Sequence, residues 1–167
     1  MKQTFLTFLF LTLSIVVFGQ ANGITEIRKL YKETQDNKST YKRLTQDDFE
    51  NSSEGGELTA YQNSTEVRLI EAKYYGHMGK SESEYYYLNG QIYFIFRKDF
   101  SYNMPPTESG YDSDKTTLEE SRYYFWNNKM IRWITPDGKY MDSELTEYSD
   151  ESTKLTSWAV EFLEMVE

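Results

Sequence analysis

Carboxylates are the most abundant reactive groups in this chain of 167 residues, with 27 Asp and Glu against 18 Lys and Arg and a single His. Glu82 and Glu84 are two apart, which puts both on one face of a strand, and Glu71, Glu119 and Glu120 are candidates to lie near them. A glycosidase needs two carboxyl groups about 5–10 Å apart in a cleft, one to protonate the leaving group and one to act as base or nucleophile. A chain this acidic contains such pairs whatever it does, so a carboxylate-dependent, glycosidase-like hydrolase is the alternative reading and not the first. His77 stands in Gly76-His77-Met78-Gly79, a turn sequence that leaves an imidazole exposed rather than beside a nucleophile. With no Cys and one His, the chain lacks the nitrogen and sulfur ligands of a zinc site. Asp112-Ser113-Asp114 begins like a calcium loop but lacks the following acid, the Gly and the terminal Glu. No Gly-rich phosphate cradle is present. The expectation is a chain with no catalytic residue, no metal and no cofactor.

The side chains that stand out are aromatic. They make up 17% of the chain, led by 15 Tyr, and most lie between Tyr61 and Tyr140. Disordered chains are poor in aromatics, so this stretch is expected to fold. If Asn89-Gly90 closes a two-residue hairpin loop, Tyr87 opposes Ile92, Tyr85 opposes Phe94 and Ser83 opposes Phe96. In the later hairpin the matching face holds Tyr123, Phe125, Met130 and Ile134. This nearly apolar face is assigned to the core. The other face then pairs Tyr86 with Tyr93, Glu84 with Ile95, Glu82 with Arg97, Tyr124 with Ile131, Arg122 with Trp133 and Trp126 with Lys129. Tyr86, Tyr93, Arg122, Tyr124, Trp126 and Trp133 are therefore the candidate binding residues. Two readings of that face stay open. Cross-strand aromatic pairs stabilise a sheet by about 0.2–1 kcal/mol each, and Arg122 over Trp133 would add a cation–π contact. Alternatively the face recognises a partner, since Tyr, Trp and Arg dominate binding hot spots.

The elements that must hold these residues follow from periodicity. Ile24, Ile27, Leu30 and Tyr31 mark one face of a helix over about residues 23–36. Residues 35–56 are polar and read as a loop, with a candidate short strand at Tyr41 to Leu44. From Glu57 the pattern becomes strands: Leu58–Gln62, Glu66–Tyr75, Ser83–Leu88, Gln91–Arg97, Glu120–Trp126 and Lys129–Thr135, with a candidate last strand at Lys139–Asp142. Asn89-Gly90 is a strong hairpin signal, because a type I′ turn needs positive φ at both central residues, and Asn127-Asn128 can adopt the same turn. Ser101 to Thr117 is a long loop. Leu155, Trp158, Ala159, Phe162, Leu163 and Val166 then form the apolar stripe of a C-terminal helix, with Ser152 as N-cap. The fold class is α+β: an antiparallel meander of six or seven strands, an N-terminal helix, and a C-terminal amphipathic helix packed on one face.

Two segments align without a gap: Glu84 to Phe96 (Glu-Tyr-Tyr-Tyr-Leu-Asn-Gly-Gln-Ile-Tyr-Phe-Ile-Phe) and Arg122 to Ile134 (Arg-Tyr-Tyr-Phe-Trp-Asn-Asn-Lys-Met-Ile-Arg-Trp-Ile). Tyr61 to Ile70 is a candidate third copy with a longer turn. The Tyr-Tyr-x-x-Asn-Gly-x-Ile/Leu pattern resembles the β-hairpin repeats of MORN-like and toxin-immunity-type proteins. It is also similar to a group of small uncharacterised exported proteins of Gram-negative bacteria whose leader ends in Phe-Gly-Gln. The resemblance covers residues 57–141, and the second Gly of a MORN repeat is absent. It implies an interaction module and carries over no catalytic residue.

The N-terminus has the layout of a secretory leader: Lys2, an uncharged apolar run from Thr4 to Phe18, then Gly19 before polar Gln20. The expected organisation is a signal peptide at 1–19, the N-terminal helix and polar loop at 20–56, the hairpin sheet at 57–142 and the C-terminal helix at 143–167. Residues 20–167 form one domain, large enough for a core without disulfides. Losing Lys2 with the leader would take the formal charge from −9 to −10, which opposes phosphate backbones and argues against nucleic acid. The function expected is an exported, non-catalytic binding protein, periplasmic or extracellular, with no stable membrane insertion after cleavage. It is a monomer or weak dimer, its partner an unknown protein or glycan. A structural envelope protein is a further alternative.

Overall fold

The computed structural model describes residues 23–49, 51, 52 and 54–166, so the leader expected at 1–19 lies outside the described residues. The first helix, α1, occupies residues 23–37 and tightens into a 3-10 turn at Lys38–Thr40. Seven strands follow: β1 (Lys42–Asp48), β2 (Gly56–Gln62), β3 (Val67–Gly76), β4 (Gly79–Leu88), β5 (Gln91–Ser101), β6 (Thr117–Trp126) and β7 (Lys129–Ile134). They form one sheet in sequence order, each antiparallel to the next. A last helix, α2, spans Thr146–Val166. This is the α+β meander expected, with seven strands. Among the described residues no helix is long and apolar enough to cross a membrane.

The tight turns obey local chemistry. Asn89 and Gly90 sit at φ 52° and 69°, and Asn127 and Asn128 at 50° and 60°. These are the left-handed conformations a type I′ turn requires and that Gly and Asn tolerate. Gly79 serves differently: a Cβ there would stand 2.1 Å from the Phe100 carbonyl oxygen, so only Gly lets β4 begin against β5.

The strand register differs from strict alternation, and the difference reassigns the faces. Each of the two aromatic hairpins leaves its turn in the expected pairing, Tyr87 with Ile92 and Phe125 with Met130. Each then slips by one residue, so that Tyr86 pairs with Phe94 and Tyr124 with Arg132. Tyr93 and Ile131 are the extra residues of two β-bulges in corresponding places. A third slip between β2 and β3 leaves Arg68 as the extra residue. A one-residue insertion sends every later side chain to the opposite face. Phe94, Phe96 and Ile134, expected under the C-terminal helix, therefore lie on the other face. Ile95, Arg97 and Trp133 move the opposite way.

Both faces are covered. On one, α2 buries Tyr148, Leu155, Ala159, Phe162 and Val166 against Leu58, Ile70, Tyr85, Tyr87, Ile95, Phe125 and Trp133. Phe162 meets Tyr85 edge-on at 5.0 Å. Burying each large apolar side chain of this set contributes roughly 1.5–3 kcal/mol. On the other face, α1 sets Ile24 and Ile27 on Leu69, Tyr86, Tyr93, Phe94 and Tyr124.

Three boundaries also change. The polar loop expected at 35–56 contains β1, held along its whole length by β2. The last strand expected at Lys139–Asp142 is a single bridge, Tyr140 to Ile134. The C-terminal helix starts at Thr146 rather than after Ser152, because Tyr148 is buried against Trp133 and anchors the added turns.

Candidate functional site

Helix α1 crosses the strands of its face. Gly23 rests on the Trp126 ring, with a Cβ there placed at 3.3 Å, and the end of the helix reaches β2 and β3. Its C-terminal half docks through polar contacts. Thr34 shares a buried 3.1 Å hydrogen bond with the Tyr93 hydroxyl. Gln35 Nε2 donates to the Tyr86 hydroxyl, which in turn donates to Glu84 Oε2. Lys38 pairs with Glu71, which also accepts from the Tyr61 hydroxyl at 3.0 Å. The bulge residue Arg68 is buried between Thr34, Glu33 and Glu66 at 3.5–3.7 Å. Its Nε has no hydrogen-bond partner.

These partners set the protonation states beneath the helix. Burial pushes the Tyr93 phenol up to about 12. Burial, then the Glu84 charge, holds the Tyr86 phenol far above the ordinary tyrosine value. The Lys38 ammonium is raised on balance: burial lowers it, and the hydrogen bond and charge of Glu71 more than offset that.

The six residues marked as a binding face are thus divided by the structure. Tyr86, Tyr93 and Tyr124 are on the face opposite α2 as expected, but α1 covers them and leaves them 0%, 6% and 7% exposed. Trp133 is on the α2 face, 8% exposed, stacked between Tyr123 and Tyr148. Its expected pairing with Arg122 does not occur, because the Ile131 bulge separates them. Arg122 and Trp126 remain accessible on the α1 side. So the expected exposed aromatic face is largely an interior layer, with an opening beside α1.

That opening is a groove of about 260 Å³ between α1 and strands β5 and β6, lined by Ile27, Arg28, Tyr31, Phe94, Phe96, Arg122 and Tyr124. Its walls are rings in contact. Phe94 lies 5.0 Å from Tyr124, and Tyr31 stands edge-on to Phe94 at 5.5 Å. The Arg122 guanidinium lies 4.9 Å from the centre of the Phe96 ring, with Nη2 donating to Glu120 at 2.9 Å. Arg28 is exposed and has no acidic partner among the described residues. Arg132 adds a third guanidinium beside the groove, 6.0 Å over Tyr124 and 4.9 Å over Tyr140. No carboxylate lines the groove, in a chain of net charge −9. The lining offers apolar area, two tyrosine hydroxyls and positive charge.

Of this lining, Arg122 and Tyr124 were legible in the sequence, whereas Ile27, Arg28, Tyr31, Phe94 and Phe96 were not. The available signal was a count of surfaces. Two amphipathic helices and a two-faced sheet leave each helix a face, so the apolar side of α1 had to land opposite α2.

The carboxylates converge elsewhere. Glu71 and Glu84 are direct cross-strand neighbours on β3 and β4, beside a shallow depression shared with Glu82, Lys73, Lys98 and Phe96. Both are engaged, by Lys38 and Tyr61 and by Tyr86, in tethering the end of α1. His77 is exposed in its turn, 3.6 Å from Glu54. Asp112 accepts from the Asp114 amide and pairs with Lys115, so this acidic run caps a 3-10 turn. No protein-family model, curated protein or solved structure matches this chain.

Proposed function

We propose that this chain is an exported, non-catalytic binding protein whose ligand enters the groove between α1 and strands β5 and β6. The observation that carries the reading is the groove lining itself: four aromatic rings and two arginines, with no carboxylate, imidazole, aliphatic hydroxyl or thiol among the lining residues. Ligand pockets are mostly apolar with a few convergent polar groups, and this one fits that description while lying just below the usual size range, ~300–1,000 Å³. The leader pattern at residues 1–19 supports export. The matching turn and bulge of the two aromatic hairpins support a sheet built from a repeated unit, as in the interaction modules the sequence resembles.

The hydrolase reading is less well supported. Glu71 and Glu84 already serve as hydrogen-bond and ion-pair anchors, and a catalytic pair would need one carboxyl free to take or give a proton. Saturation-transfer NMR against a panel of small aromatic and aliphatic compounds tests the binding reading. Hits that bind the wild-type protein should be lost in a folded Tyr31→Ala, Phe96→Ala double variant. Hits unaffected by those changes would place the ligand elsewhere. Turnover of a glycoside that vanishes in Glu84→Gln would replace the proposal with the hydrolase.

A further inference from the structure

The charge around the groove assigns its ligand class. Resting on the binding reading above, we infer that the groove takes a small organic carboxylate with an aromatic or short apolar body. Arg28 and Arg122 line the groove and Arg132 flanks it, while no acid is among the described lining residues, Glu120 standing behind Arg122. A cationic ligand would meet two guanidinium groups, and the nearest acid, Glu120, is already paired with one of them. A neutral ligand would fill the ring walls and leave the arginines unused. A carboxylate satisfies both: rings take the body, and guanidinium forks take the anion in a charge-assisted, bidentate geometry. Arg122 gives only Nη2 to Glu120 and sits over the Phe96 ring, 4.9 Å from its centre. That fixes the plane of its remaining N–H donors without occupying them. Arg28 is exposed and no acid among the described residues holds it, so it can close on an anion.

The position of the groove argues for a small molecule rather than a peptide. A peptide that binds a sheet by strand addition needs an unpaired edge. Strands β5 and β6 are interior, each paired on both sides. Their backbone groups are consumed, so only side chains face the groove. A volume of about 260 Å³ holds a ring and a short chain and little more. The acidity of the rest of the molecule sharpens selectivity, since a polyanion would be repelled by the surrounding surface while a single carboxylate is not.

Calorimetric titration of the whole protein with hydrocinnamate, its neutral amide and phenylpropylamine tests this. The acid should bind about tenfold or more tightly than the amide, a difference of about 1.4 kcal/mol, and the amine should not bind. Arg28→Gln should weaken the acid several-fold while leaving the amide unchanged, and the fold is not at risk because the Arg28 side chain is exposed on the helix surface. Raising salt from about 50 to about 500 mM should weaken the acid and not the amide. If amide and acid bind equally, or the amine binds best, the carboxylate inference is overturned while the groove remains a binding site. If none of the three binds, nor any compound of the wider panel, both readings fall.

Discussion

Two helices cover the two faces of one sheet and are held by different means. α2 is long, 21 residues, and docks mainly through an apolar stripe, to which the bond from the Tyr87 hydroxyl to the Ala159 carbonyl at 3.0 Å and the contacts of Glu151 with Tyr123 and Arg97 add polar links. α1 has fewer buried apolar residues, Ile24 and Ile27 with Leu30 half-buried, and relies on Thr34, Gln35 and Lys38 for its second half. α1 crosses from Trp126 on β6 to β2 and β3, but the strands run on past it along their own length, and the aromatic groove opens beside the helix on β5 and β6. The difference teaches that burial on the α2 side serves stability. On the α1 side the same residue types are divided between tethering a helix and leaving a cavity with charged walls.

The comparison can be broken most severely on the α2 side. Phe162→Ala should cost about 3–5 kcal/mol, because it empties a fully buried site against Tyr85 and Tyr74. Urea denaturation measures it, and the loss should be global. Ile27→Ala on the α1 side should cost about 2–3 kcal/mol, at the low end for such truncations, because the neighbouring groove admits water. Its signature should be local: hydrogen exchange of α1 amides should rise more than that of α2 amides.

A smaller change separates the polar tether from the packing. Tyr93→Phe should cost about 1 kcal/mol near pH 7 by removing the bond to Thr34. It should also alter the alkaline response. The folded-state value of the Tyr93 phenol is raised from the ordinary 10 to about 12. Its contribution to stability is therefore complete below pH 10 and lost as pH climbs toward 12. The variant should lose stability less steeply over that window. An identical slope in both proteins would mean that Tyr93 ionises as freely folded as unfolded. The smallest effect is on Arg28→Gln, whose stability should stay within about 0.5 kcal/mol of the parent, as suits a side chain kept for a ligand.

Much of the architecture could be read from particular residues. Asn89-Gly90 and Asn127-Asn128 specified their turns, and the stripe from Leu155 to Val166 specified α2 and its docking. The bulges could not be read from β5, because Ile92 to Phe96 is apolar at every position and either register buries something acceptable. In β7 a clue was present: strict alternation would bury Arg132 between Met130 and Ile134 under α2, and the Ile131 bulge returns it to the charged side. β1 was obscured because Lys42 to Asp48 is an edge strand, mostly exposed and polar, as edges that avoid aggregation are. Among the strand residues of the candidate site, Arg122 and Tyr124 precede the slip and were legible, whereas Phe94 and Phe96 follow one and were not.

The account rests on one face having an accessible, anion-seeking aromatic groove while the rings under α2 on the other face are buried. Protein-observed NMR of the aromatic rings during a hydrocinnamate titration tests that directly. The rings of Tyr31, Phe94, Phe96 and Tyr124 should shift together and saturate, those of Tyr85, Phe125 and Phe162 should stay in place, and Arg28→Gln should move the midpoint to higher concentration. Saturable shifts among the α2-side rings, or a titration in which the α1-side rings never respond, would contradict it.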